Sequence, residues 1–264
     1  MKAGCAVFAL ACVSAAHAQT DVLINIERNR PEGPVFQRAI LALPAQPTDT
    51  AVLFFRGHPG IAKIESVNDK QRNLLPFMKF NQHIFAEAGL ALVVMDCPTD
   101  QWTTCSDEYR SSQQHADDVR SVMARLKHDH GLTKIYIFGH SMGTVSSRWL
   151  AKNLGNEIAG SIHSASMNFP NREAYARSVH GFPYDAIAAP QVHVHHQNDA
   201  CRSTPYSAVK AYAGDNLITV RGGIGTGDPC AGRHLHSYGG REEAAVRAIV
   251  SWIKTRTLER FAGE

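Results

Sequence analysis

The chain has 264 residues, of which 44% are apolar and 19% charged, and its 27 basic and 24 acidic residues leave a formal net charge of +3. That composition belongs to a folded globular protein and excludes disordered, collagenous and polytopic membrane classes. No block of like charges occurs, so neither a nucleic-acid groove nor a polybasic membrane anchor is indicated, and a small neutral or mildly anionic substrate stays open.

Residues 1–18 read as a secretory signal peptide. Lys2 is a minimal positive n-region, Ala3 to Ala15 a short run of small and apolar residues, and Ala16-His17-Ala18 an A-x-A cleavage site ahead of Gln19. The run is short for a bilayer span, and no later stretch approaches about 18 apolar residues. The expected protein is secreted or periplasmic, without a stable membrane anchor, and residues 19–264 form a single domain. Cys5 and Cys12 leave with the signal, and Cys97, Cys105, Cys201 and Cys230 remain. An even set in an exported chain predicts two disulfides. Four cysteines permit three pairings, of which the local one, 97 with 105 and 201 with 230, is expected here. The spacings lack a C-x-x-C signature, so no metal site through sulfur is expected.

Short apolar runs alternate with helical patterns along the mature chain. Thr20 to Glu27 and Val35 to Leu43 read as an opening pair of strands around Pro31, Gly33 and Pro34. Ala51 to Phe55 is a buried strand ending in the turn-rich Arg56-Gly57-His58-Pro59-Gly60, and Asn73 to Ala88 has helical spacing that stops at Gly89. Leu90 to Met95 is apolar at nearly every position, as a central parallel strand would be. A helix follows over Ala116 to His130, closed by Gly131. Then come a strand over Ile135 to Phe138, a helix over Met142 to Asn153, and strands over Ile158 to Ser164 and Gln191 to His195. Leu217 to Arg221 is read as the last strand and Arg241 to Thr255 as the last helix. The fold class is α/β: a mostly parallel sheet, helices on both faces and an antiparallel N-terminal edge.

Gly139-His140-Ser141-Met142-Gly143 falls between a strand and a helix. In that setting G-x-S-x-G is the pattern of a nucleophile elbow, with the Ser141 hydroxyl above the sheet and the Met142 N–H free to bind a developing oxyanion. With these residues the chain resembles the α/β-hydrolase superfamily, in particular exported bacterial serine hydrolases of dienelactone-hydrolase-like and esterase type. The resemblance runs from about Ala51 to Thr255. Where dienelactone hydrolases carry a cysteine nucleophile, this chain has Ser141.

The resemblance implies a triad in the order Ser, acid, His. Asp199, after the strand Gln191 to His195, takes the acid position, ahead of Asp185, Asp215 and Asp228. His236, before Ser237-Tyr238-Gly239-Gly240, takes the base position, with His234 as runner-up. His180-Gly181-Phe182 precedes Asp199 and would break the order. Arg56-Gly57-His58 occupies the place of the family's His-Gly-X, which makes the His58 N–H the second oxyanion donor. The implied activity is carboxylic ester hydrolysis of a small-molecule substrate through an acyl-enzyme, with no cofactor. The same triad serves thioesterases, lactonases and peptidases, and a catalytically silent binding protein of this fold is the alternative from another class. A bridge between Cys201 and Cys230 would tie the acid loop to the base loop. His193 and His195 share one strand face and His196 takes the other, so all three cannot converge on a metal without distortion. Trp102 and Tyr109 are candidates for the site mouth. Residues 165–190 must supply a connecting helix around Arg172 to Val179, which leaves little chain for a cap. The acyl and leaving groups and the oligomeric state stay open.

Overall fold

The computed structural model describes residues 20–169, 179 and 181–263. The signal peptide expected at residues 1–18 and most of the helix expected at Arg172 to Val179 lie outside these residues.

β1 (Thr20–Arg30) and β2 (Gly33–Leu43) form an antiparallel hairpin. The rest of the sheet is β3 (Thr50–Phe55), β4 (Ala91–Met95), β5 (Lys134–His140), β6 (Gly160–Ser164), β7 (Gln191–His196), β8 (Leu217–Val220) and β9 (Phe261–Ala262). The nine strands run in the order β1-β2-β4-β3-β5-β6-β7-β8-β9. β2 pairs antiparallel with β4, and every later pair is parallel.

Seven helices are described: α1 (Lys70–Asn73), α2 (Pro76–Glu87), α3 (Asp107–Arg110), α4 (Gln113–His130), α5 (Gly143–Leu154), α6 (Tyr206–Ala213) and α7 (Glu242–Thr255). Alternate residues of the central strands supply two cores. Val52, Phe54, Val94 and Phe138 face α2 and α7; Leu53, Val93, Ile135 and Ile137 face α4 and α5. Burial on both faces is why these strands are apolar at nearly every position rather than at every second one.

Several elements differ from the sequence expectation, the four-residue α3 among them. The helix expected over Asn73 to Ala88 begins only at Pro76, which has no N–H to continue a helix and holds Leu75 extended (φ −63°, ψ 153°) while itself starting α2; the short α1 ends at Asn73, ahead of it. The last strand is β9 rather than β8, and its two residues are too short for a periodic signal. α6 went unread because it buries only Val209 and Ala213. By contrast, α4 ends where Gly131 predicts, in a left-handed C-cap with φ 67°.

The order of β4, β3 and β5 reverses the direction in which the sheet is wound, and the loops after β3 and β5 meet at the carboxyl ends of the strands, where open α/β sheets bind ligands. Two buried charged groups fix the loop after β3. Asp96, just past β4, accepts the N–H groups of Ala62 and Ile64 at 2.8 Å each, and burial pushes its carboxyl up. Arg110, on α3, donates to the Gly60 carbonyl and to Ser146 Oγ on α5, both at 2.9 Å. Among the described residues no helix is long and apolar enough to cross a membrane.

Candidate active site

Ser141 turns the chain from β5 into α5 with φ 55°, in the left-handed region that a residue with a Cβ rarely adopts. The glycines on either side make this turn sterically feasible. A Cβ on Gly143 would run into the Phe55 carbonyl oxygen, and one on Gly139 into the carbonyl oxygen of Gly143. The Ser141 N–H donates to the Ser164 carbonyl at 2.9 Å, and its own carbonyl accepts from the Thr144 N–H at 2.9 Å. The hydroxyl is thereby held above the sheet.

The His236 ring comes in on a short turn, Leu235–Ser237, 95 residues further along. Its Nε2 lies 2.9 Å from Ser141 Oγ, and its Nδ1 lies 3.0 Å from Asp199 Oδ2. The turn is locked by Tyr238, which has φ 67° and donates its hydroxyl to the Val194 carbonyl at 3.0 Å, and by Ser237, whose hydroxyl lies 3.2 Å from His140 Nε2. His140 is fully buried, and that burial, helped by the nearby His236, pushes its imidazole well below its usual range.

Asp199 follows β7 and is saturated with donors. Oδ1 accepts the Cys201 N–H at 2.9 Å; Oδ2 accepts Thr204 Oγ1–H at 2.8 Å and faces His195 Nε2 at 3.2 Å besides His236. Burial alone would raise this carboxyl, but the hydrogen bonds from His195 and His236 outweigh it and hold Asp199 well below the usual carboxylate range. A charged Asp199 fixes the tautomer of His236: the proton sits on Nδ1, leaving the Nε2 lone pair to accept from Ser141.

The structure thus brings together Ser141, His236 and Asp199. His234 has no bond to Ser141, Asp215 pairs with Arg260 at the surface, and His180 lies outside the described residues. Two residues that the sequence did not place at the triad complete the cluster. Thr204 Oγ1 lies 3.0 Å from His236 Nδ1 as well as bonding Asp199, and His195 abuts Asp199 from the strand side. Both lie within five residues of Asp199 in the chain, but neither residue type forms a pattern that marks these bonds, and the Thr204 contact with His236 spans 32 residues.

A cavity of about 510 Å³ opens beside Ser141, lined among others by His58, Ile61, Met142, Met167, Ser203 and Cys230. Gly57 packs against Ser141 so closely that a Cβ there would lie 3.1 Å from Ser141 Cβ, and His58 and Met142 both line the cavity. Trp102 and Tyr109 do not line it. Trp102 donates to the Cys97 carbonyl at 3.0 Å, and Tyr109 is buried with its hydroxyl on Asp118 at 2.9 Å; Thr103 and Thr104 occupy the rim instead. Trp102, in the loop between the half-cystines, is half-buried beside a neighbouring groove with Ile61 and Arg72, whereas Tyr109 lies beyond that loop on α3 and is buried.

Cys97 is bridged to Cys105 and Cys201 to Cys230, with Cα separations of 6.1 and 4.6 Å. The strand histidines diverge. His193 packs against His163 and Tyr184, and burial lowers its pKa to about 3; His196 Nε2 donates to the Gly222 carbonyl at 2.7 Å; His195 turns to Asp199. Among the described residues no group of three His, Cys, Asp or Glu side chains is placed to hold a metal ion.

A nine-stranded, mostly parallel sheet flanked by helices, with a serine on the sharp turn after β5, defines the α/β-hydrolase fold. A family profile described as serine aminopeptidase, S33, matches residues 106–228, which is less than half of the chain and ends before His236. No curated protein matches in sequence. Among solved structures, a dienelactone hydrolase from Anabaena variabilis is 15% identical with a TM-score of 0.57, over 90% of this chain and 99% of its own. Est1E from Butyrivibrio proteoclasticus is likewise 15% identical with a TM-score of 0.57, over 87% and 97%. A serine hydrolase without a lid from Xanthomonas campestris is 18% identical with a TM-score of 0.51, over 85% and 94%. The chain therefore has the α/β-hydrolase fold, and over residues 106–228 it is similar to a serine hydrolase family.

Proposed function

We propose that the protein is an exported carboxylic ester hydrolase that works through an acyl-enzyme on Ser141, with His236 as general base and Asp199 as the acid that orients it. The observation that carries this reading is the continuous line from Ser141 Oγ through His236 to Asp199, with links of 2.9 and 3.0 Å. A serine hydroxyl is a weak nucleophile at neutral pH. His236 Nε2 removes its proton as Oγ attacks the ester carbonyl, and Asp199 stabilises the imidazolium that forms. Charge moves to the carbonyl oxygen, toward the Met142 and His58 N–H groups that we assign as the oxyanion hole. When the intermediate collapses, the ester C–O bond breaks and His236 hands its proton to the departing alkoxide. Water then repeats the cycle on the acyl-enzyme, releasing the acid and restoring Ser141.

Export, with removal of residues 1–18, is supported by the A-x-A pattern at Ala16-His17-Ala18 and by the two disulfides, which persist in oxidising compartments. The decisive experiment is a panel of ester, thioester, lactone and peptide substrates with fluorophosphonate labelling. The peptides are included because of the description of the matching family profile. The protein should label at Ser141 and turn over esters fastest, and Ser141→Ala should fold but neither label nor turn over. Undiminished labelling of the alanine variant would move the nucleophile elsewhere, and a wild-type protein inert to both probe and panel would make it a binding protein of this fold.

A further inference from the structure

We infer that His195 is a positioning residue for the base: by sharing the charge of Asp199, it keeps His236 less basic than a lone Asp–His pair would, and so keeps the enzyme active at lower pH. The inference rests on the roles proposed above for His236 and Asp199. His195 lies on β7, four residues before Asp199, and both side chains are fully buried. Its Nε2 is 2.8 Å from the Thr204 carbonyl and 3.2 Å from Asp199 Oδ2. A carbonyl oxygen can only accept, so the proton sits on Nε2, and the ring donates to both atoms. His195 Nδ1 is buried without a partner among the described residues, so a second proton there would have nothing to bond.

The consequence for His236 follows from competition for one oxygen. Asp199 Oδ2 takes hydrogen bonds from His236, Thr204 and His195, and each donor disperses charge that would otherwise favour the imidazolium of His236. His195 also grips the Thr204 carbonyl, and the Thr204 hydroxyl in turn contacts His236 Nδ1 at 3.0 Å, so one ring fixes both groups behind the base. The titratable groups that face this cluster come from several elements. His140 on β5 has its ring 5.3 Å from that of His236, Tyr206 on α6 has its ring 6.1 Å from that of His195, and His193 and His196 flank His195 on β7. Asp199 is the carboxylate among them, so its charge is the one that His195 modulates.

The test compares pH profiles of kcat/KM for wild type, His195→Leu and His195→Gln, on the best ester of the panel. Loss of the donor in His195→Leu should move the acid limb upward by on the order of half a pH unit. His195→Gln, which keeps an N–H of similar reach, should restore most of that shift. A merely structural role would lower the plateau in both variants and leave the limb in place, and that result overturns the inference. A second measurement needs no variant. In the 15N spectrum of the wild-type protein, His195 should keep a protonated Nε2 and a bare Nδ1 across the acid limb. If His195 Nδ1 instead takes up a proton together with His236, the inference fails. A protein that never labels with fluorophosphonate would refute the hydrolase roles themselves, a different outcome.

Discussion

The backbone N–H of Cys201 donates to Asp199 Oδ1 at 2.9 Å while its sulfur is bonded to Cys230, so a covalent bridge ends one hydrogen bond from the acid of the proposed triad. Cys201 and Cys230 also line the cavity beside Ser141. Opening the bridge should therefore act on catalysis as well as on stability. Cys230→Ser should lower the unfolding free energy by about 3.6 kcal/mol on the loop-closure model, against about 2.6 kcal/mol for Cys105→Ser. Only the former should also depress kcat/KM. Urea unfolding and steady-state kinetics on both variants check this, and equal kinetic effects would separate the Cys201–Cys230 bridge from the active site.

Thr204 makes a second prediction. Its hydroxyl donates to Asp199 and touches His236 Nδ1, and it is buried. Thr204→Val keeps the shape and removes one charge-assisted hydrogen bond, which is worth about 1.5–3 kcal/mol. Spent on the orientation of His236, that corresponds to a loss of about tenfold or more in kcat with little change in KM. A variant that loses stability but keeps its kcat would make Thr204 a packing residue only.

Stability should fall steeply on mild acidification. Burial holds His115 and His193 down to about 3 and pushes His140 and His163 well below the ordinary imidazole range. Between about pH 3 and about 6.5 the unfolded chain binds protons at these rings and the folded chain does not, so stability rises with pH across that window and is fully present above it. Each such ring contributes a slope of about 1.4 kcal/mol per pH unit there. Tm measured from pH 8 to 4 should be level at first and then drop below about 6.5. His115→Phe should make that drop shallower. A Tm that stays level to pH 4.5 would contradict it.

The cavity makes the fourth. At about 510 Å³ it opens to solvent beside Ser141 among the described residues, and the length of 165–190 is expected to leave little chain for a cap. A thinly covered site limits the apolar area a long acyl chain can bury. On p-nitrophenyl esters graded from acetate to palmitate, kcat/KM should peak at the short end, with no jump when the substrate forms an emulsion. A maximum at palmitate would reveal a deep acyl tunnel.

What could be read from the chain alone was whatever is encoded within a few residues. The runs at Ala51–Phe55 and Leu90–Met95 are buried on both faces and so advertise central strands, and Gly139 and Gly143 mark the tight turn at Ser141 because their missing Cβ atoms leave room for β3 and α5. Pro76, which starts α2, is a local signal of the same kind, but the apolar spacing across it suggests one helix from Asn73. Tertiary structure alone brought His236 across 95 residues to Ser141, turned Tyr109 away from the cavity, and set the Thr204 hydroxyl against His236 Nδ1 across 32 residues. The physical reason is the range of the interaction: backbone sterics and burial periodicity act between chain neighbours, whereas a hydrogen bond forms only once its two ends have been packed to within about 3 Å, and no local pattern records which ends those will be.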